Sequence, residues 1–190
     1  MEIKKIYDLS IEELNSLGIF GYTSNQKYEV TKEETLHTFS LQLNLINLDK
    51  PYVKQELNDD DDLDRYQKLV KLGYSLGLYL DNKLAAIAIA EPQLWNNTLL
   101  LWHFQVHENY RRKSYGSILM NRMIDLAEEN GFRAVTLETQ NTNAPAIHFY
   151  KQCGFMIEGV DLSFYTNLDN GNEEIALFMR KKIDKDYSIE

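Results

Sequence analysis

The stretch that most restricts how this chain folds runs from residue 98 to residue 155, where a strand pattern leads through a glycine-containing turn into a helix and the alternation then repeats. Residues 98–106 read as a strand, with Trp102, Phe104 and Val106 on one face by period two. From about 115 to 130 the period lengthens. Tyr115, Ile118, Leu119 and Met123 recur at helical spacing, and Asn121, Arg122, Asp125 and Glu129 take the wet side. Gly131 suits the position after that helix. Residues 133–139 alternate again, Val135 and Leu137 against Thr136 and Glu138. Residues 143–152 form a second helix with Pro145 in its first turn, where a missing N–H costs nothing, and Gly154 ends it. Strands at 155–165 and 174–180, joined by the turn Asp169-Asn170-Gly171, close this half. Such an order implies a mixed α/β sandwich, with helices laid over a twisted sheet.

The first half is less regular. Ser10 and Glu13 have the spacing of a capping box, so a short helix starts there. Residues 38–45 place Phe39, Leu41, Leu43 and Leu45 on one face and read as a strand. Strands at 74–80 and 84–90 flank Asp81-Asn82-Lys83, a turn suited to a tight hairpin. Glu56, Asp59, Asp60, Asp61, Asp62 and Asp64 form an acidic run that reads as a solvated loop or helix start. No repeat, low-complexity tract or Pro/Gly/Ser-rich linker interrupts the chain. Its 190 residues, 44% of them hydrophobic, suffice for one domain spanning 1–190 with a sizeable core.

Charge and composition remove several classes of function. A formal net charge of -9 argues against nucleic acid as a partner, because a phosphate backbone calls for Lys and Arg. The same charge would steer a cationic small molecule inward, although an acidic chain is also simply a soluble one. No run approaches the roughly 18 consecutive apolar residues of a membrane span. Residues 1–5 lack the apolar stretch that follows the basic residues of a signal peptide. Cys153 is the one cysteine, so no intrachain disulfide can form, and it reads as a small packing residue. The expectation is a cytoplasmic protein with no membrane partner. His103, His107 and His148 have no metal-ligand spacing, and no metal is expected.

Two segments carry chemistry. The first runs from Val106 to Ser117. A strand entering a helix through a turn leaves backbone N–H groups unpaired at the positive end of the helix dipole, which is an anion site, and Arg111, Arg112 and Lys113 add side-chain cations. A pyrophosphate would fit there; a helix entry dressed with solvated basic residues is the other reading. The second segment runs from Leu137 to Phe155. Asn143 and Tyr150 lie two turns apart on one helix and share a face. By itself Tyr150 could be a core aromatic.

Together these segments resemble the GNAT superfamily of acetyltransferases. Val106, Tyr110, Arg111, Gly116 and Ser117 match that family's coenzyme A loop, and Ser114 departs from it where a glycine is usual. Asn143, Ala146, Tyr150, Gly154 and Phe155 match its second signature. Within the superfamily, Glu138-Thr139-Gln140 before Asn143, the pair Val160-Asp161, Tyr165, and residues 174–178 resemble the streptothricin acetyltransferases. That likeness covers about residues 99–182 and, more weakly, residues 50–54. The ribosomal-protein alanine N-acetyltransferases share much of the same frame.

The resemblance implies a GNAT fold: a mixed, mostly antiparallel twisted sheet with helices on both faces, splayed so that acetyl-CoA lies in the cleft. Residues 1–97 would form the substrate side and 98–182 the acetyl-CoA-binding and catalytic core. The implied activity is N-acetylation of a cationic amine, that of the β-lysine moiety of streptothricin first, which would confer antibiotic resistance. A peptide or ribosomal-protein N-terminal acetyltransferase, or a non-catalytic acyl-CoA-binding sensor, are the alternatives. Phe104, Gln105 and Val106 would offer backbone groups to the pantetheine, and Arg111, Arg112, Lys113, Ser114, Tyr115, Gly116 and Ser117 would hold the pyrophosphate, with Asn143 and Tyr150 completing the cofactor side. Tyr150 would protonate the departing thiolate. Glu138 would act as a base through water or anchor the ammonium, and Asp161 and Tyr165 would line the amine pocket or lie on the surface. A homodimer is left open.

Overall fold

The computed structural model describes residues 1–56, 60–167 and 174–183. Its organisation follows from one strand, β5 (Lys83–Gln93), whose sequence alternates isoleucine with alanine. Ile87 and Ile89 point to one face, where they join Leu14 of α1 (Ile11–Ser16) and Tyr66, Leu69 and Val70 of α2 (Asp60–Val70). Ala86, Ala88 and Ala90 point to the other face, beneath Leu119, Met120, Met123 and Leu126 of α3 (Tyr115–Glu129). Bulky side chains fill the gap on one side, and small ones let α3 settle close on the other. Helices therefore cover both faces.

Among the described residues, seven strands make the main sheet, in the order β1-β4-β5-β6-β7-β9-β8. They are β1 (Glu2–Lys5), β4 (Leu76–Leu80), β5, β6 (Thr98–Val106), β7 (Ala134–Gln140), β8 (Met156–Asp161) and β9 (Ala176–Lys182). All neighbours are antiparallel except β6 and β7, which run parallel. This parallel pair is short: it begins at Thr98↔Ala134 and ends at Leu100↔Thr136. Beyond Leu100, β6 keeps β5 as its partner, with a bulge that leaves Trp102 as the extra residue, while β7 continues beside β9. The sheet thus splays open at its centre. The helix α4 (Ala144–Gln152) follows β7.

A separate antiparallel hairpin, β2 (Phe20–Glu34) and β3 (Phe39–Glu56), lies outside the main sheet. It is tied to the core where Tyr28 N–H donates to the Asn141 carbonyl and the Asn141 amide returns a bond to the Tyr28 carbonyl, both 2.8 Å.

Several expectations match. Ser10 and Glu13 form a reciprocal capping box on α1. Asp81 and Asn82 both adopt positive φ, as a two-residue hairpin turn of this twist needs. Gly131 follows α3 with φ 76°. Others need correction. The strand expected at 38–45 runs to Glu56 and pairs with β2, which the sequence pattern left unassigned; of its apolar face, Phe39 is 59% exposed, while Leu43 packs against the main core. The strand expected at 155–165 stops at Asp161, where the chain turns. The acidic run starts a helix from Asp60 onward; Asp59 and the turn Asp169-Asn170-Gly171 lie outside the described residues. No helix among the described residues is long and apolar enough to cross a membrane.

Candidate active site

The parting of β6 from β7 opens a cleft of about 690 Å³. One of its edges is β6 itself. The His107 N–H donates to the Ala85 carbonyl at 2.9 Å, so residue 107 faces β5. By strand alternation the backbone groups of Val106 and Phe104 face the other way, toward the cleft. Arg111 Nε reaches the Val106 carbonyl at 3.1 Å on that side. Gln105 is turned oppositely: its backbone faces β5, and its buried side-chain amide donates to the Gly18 carbonyl at 2.9 Å.

At one end of the cleft the chain leaves β6 through a short 3-10 turn and enters α3. Arg112 and Ser114 both take left-handed backbone angles, φ 58° and 65°. The left-handed Ser114 caps α3 with its backbone only, because its hydroxyl makes no capping bond. The first helical bond is Ile118 N–H to the Ser114 carbonyl, 3.0 Å. The N–H groups of Tyr115, Gly116 and Ser117 precede it and have no acceptor within the helix. Arg111, Arg112, Ser114, Gly116 and Ser117 line the cleft, whereas Lys113 and Tyr115 pack near the Tyr110 ring at its margin. A Cβ on Gly116 would lie 3.4 Å from both Phe149 and Val106, so the missing side chain keeps this floor flat. Phe149 also stacks on Phe104, with ring centres 5.6 Å apart.

The helix α4 supplies the opposite wall. Asn143 caps it, its side-chain oxygen accepting from the Ala146 N–H at 3.2 Å, and Asn143 and Tyr150 both line the cleft. The Tyr150 ring sits between Phe149 and Phe155, at 5.4 and 5.9 Å. Its hydroxyl makes no hydrogen bond among the described residues. Burial pushes that phenol well above its ordinary value, and the nearby Glu138 carboxylate and Cys153 push the same way. It therefore keeps its proton through neutral pH.

Glu138, midway along β7, lines the cleft and accepts a hydrogen bond from the Tyr165 hydroxyl. Burial, followed by that carboxylate, raises the Tyr165 phenol as well. Asp161 lies elsewhere: its carboxylate accepts the Ser163 N–H at 3.0 Å in the turn after β8, away from the cleft lining.

The sequence pattern missed a polar knot at the far end. Glu174 Oε1 accepts from Tyr22 at 3.1 Å, Tyr52 at 3.0 Å and Thr142 at 3.3 Å, and its Oε2 accepts from Lys54 at 2.7 Å. Tyr22 and Lys54 line the cleft. The one available signal was the period-two spacing of Tyr52 and Lys54 in the segment 50–54. Its partner Tyr22 had no such mark. His103 was set aside as a metal ligand; it is buried, bonded to Tyr66 at 3.1 Å and Gln105 at 3.3 Å, and burial lowers its pKa to about 4. No group of three His, Cys, Asp or Glu residues that could hold a metal occurs among the described residues.

The strand-parting cleft, helix-entry loop and tyrosine-bearing helix define an acetyltransferase architecture. Residues 41–155 match the Acetyltransferase (GNAT) family, and the chain belongs to that family. It is 37% identical over 130 residues to streptothricin acetyltransferase A of Bacillus subtilis (strain 168), covering 68% of this chain and 72% of that one. It is 30% identical over 97 residues to the [ribosomal protein bS18]-alanine N-acetyltransferase of Escherichia coli (strain K12), covering 51% and 64%. The crystal structure of nourseothricin acetyltransferase superposes with a TM-score of 0.71 over 95% of this chain and 97% of that chain, at 25% identity. The chain is thus an acetyl-CoA-dependent N-acetyltransferase, similar to the streptothricin acetyltransferases.

Proposed function

We propose that the acceptor is the β-lysine amine of streptothricin, and that the reaction runs across the cleft between Tyr150 and Glu138. The observation that carries this reading is that a proton-bearing phenol and a carboxylate line one cleft beside the open edge of β6. Acetyl-CoA, when bound, supplies the acetyl group as a thioester. The free N–H groups at the start of α3, with Arg111 and Arg112, suit its pyrophosphate. The backbone edge at Phe104 and Val106 suits its pantetheine, and the Val106 N–H suits the developing oxyanion.

An amine of pKa about 10 arrives mostly charged and must lose a proton before it can attack the acetyl carbon. Glu138 takes that proton, directly or through water, while holding the amine in place. As the new C–N bond forms and the C–S bond breaks, the Tyr150 hydroxyl gives its proton to the sulfur, and the second proton lost by the nitrogen as it becomes an amide restores the phenol. Glu138 releases the proton it took to solvent, so one proton leaves per turnover and both groups return to their starting states. Similarity to the alanine N-acetyltransferase favours a second reading, in which the acceptor is a peptide N-terminus.

Turnover of acetyl-CoA by purified protein, measured against streptothricin and against Ala- and Ser-starting peptides, tests the proposal. Streptothricin is expected to give the highest kcat/KM. Much faster peptide acetylation would transfer the assignment to the second reading, and acetyl-CoA binding without turnover of any amine would make the chain a sensor.

A further inference from the structure

Resting on the reading of the cleft as an amine acetyltransferase site, we infer that Gln105 is a positioning residue for the acceptor: its side-chain amide, oriented by His103, fixes the start of β2 and so sets Phe20, Gly21 and Tyr22 as the wall against which the amine lies. The argument begins where α1 ends. Leu14 and Leu17 are fully buried, and the chain then leaves the core through Gly18 to enter β2. The carbonyls of Leu17 and Gly18 meet β6, where Gln105 Nε2 donates to both, at 3.4 and 2.9 Å. Among the described residues no other donor is bonded to either carbonyl. A carbonyl taken out of water needs a partner, so this one amide holds the path by which the chain enters β2. Phe20, Gly21 and Tyr22 follow directly, and all three line the cleft.

The direction of each bond in this network follows from its chemistry. Carbonyls only accept, so the Gln105 amide N–H group faces Leu17 and Gly18, and its Oε1 faces His103 Nε2, 3.3 Å away. That nitrogen therefore carries the proton. Burial holds His103 neutral, with a pKa of about 4, so its Nδ1 is bare and accepts from the Tyr66 hydroxyl at 3.1 Å. The imidazole also packs against the Phe20 ring, with centres 4.6 Å apart, and against the Tyr66 ring at 4.9 Å. His103 thus orients the amide of Gln105 and supports the ring of Phe20. Gln105 itself stands between Phe104 and Val106, whose backbone groups face the cleft. One strand carries both the edge read as the acetyl-CoA side and the side chain that holds the acceptor wall, so the spacing of thioester and amine is set within β6.

Gln105→Leu roughly keeps the volume and removes the amide. It is expected to lower kcat/KM about 3- to 10-fold for whichever amine the wild type acetylates fastest among streptothricin and Ala- and Ser-starting peptides. Acetyl-CoA affinity, read by calorimetry, should not change, because the backbone edge of β6 is untouched. A role in packing alone would weaken both together, so an equal loss in both, or a loss in neither, would overturn the inference. His103→Leu should reproduce the acceptor loss, and His103→Gln, whose amide still offers an N–H to Gln105, should largely avoid it. Heteronuclear NMR of the wild type decides even where the variants fail to fold. His103 is expected as the Nε2–H tautomer; an Nδ1–H tautomer would turn the Gln105 amide around and overturn the inference. A wild type that acetylates none of these amines looks different: it overturns the acetyltransferase reading first, and this inference with it.

Discussion

The hydroxyl of Tyr165 donates to the carboxylate of Glu138, joining the turn after β8 to the middle of β7. This bond stabilises the charged carboxylate, and the raised phenol ensures that Tyr165 remains a donor through neutral pH. Tyr165→Phe removes the donor and leaves the ring. If Glu138 is the base, losing that donor makes its protonation easier, so the acidic limb of kcat/KM should move to higher pH. An unmoved limb with reduced kcat would make Tyr165 a packing residue alone.

The Tyr150 hydroxyl, without a hydrogen-bond partner among the described residues, is the group assigned to the departing sulfur. Tyr150→Phe should leave the packing against Phe149 and Phe155 intact and lower kcat by about 100- to 10,000-fold. Acetyl-CoA affinity, read by calorimetry, should change little. A wild-type kcat, measured where chemistry limits the rate, returns Tyr150 to a structural role.

Ser114 holds a left-handed backbone at the cap of α3, with φ 65° and no compensating side-chain bond. That conformation costs an ordinary residue about 1–2 kcal/mol, more than the additional chain entropy glycine loses on folding. Ser114→Gly is therefore expected to raise Tm by about 1–4 °C in a chain of this size. A lowered Tm would mean that the serine hydroxyl does something the fold alone does not require.

Buried His103 makes stability pH-dependent. Folding lowers its pKa from 6.5 to about 4, so the unfolded chain binds a proton that the folded chain refuses. Stability from this group is complete above pH 6.5, falls as pH drops from 6.5 toward 4, and levels off below. The loss over that window is about 3 kcal/mol. Denaturant titrations at pH 7.5, 5.5 and 4.5 measure it. His103→Gln should flatten the slope between pH 6.5 and 4, and an unchanged slope would assign the acid sensitivity to other groups.

The elements legible in the sequence are those whose signals are local. Helix periodicity with a glycine stop placed α3, and the Val/Leu alternation marked β7. The Asp81-Asn82 turn fixed a hairpin because only certain residues tolerate its dihedral angles. The hairpin β2–β3 was only partly legible. The outer end of β2 and most of β3 are exposed, so burial imposes no alternation of apolar and polar residues along much of the hairpin. Among candidate site residues, most within the two short motifs line the cleft, Lys113 and Tyr115 excepted, and Asp161, 23 positions beyond Glu138 and at the end of another strand, does not.

The sequence by itself determined the strand–turn–helix entry over residues 106–117, the Asn143–Tyr150 helix face and the family, because each depends on residues within a few turns of one another. Only the tertiary structure decided where β6 and β7 part, which side of β6 faces the cleft, and that Lys54, Tyr22 and Tyr52 meet Glu174 more than a hundred residues away. Local dihedral preferences and side-chain periods are written residue by residue. Contacts between distant segments are selected by the packing free energy of the whole chain, and that choice pairs Lys54 with Glu174 at the edge of the cleft.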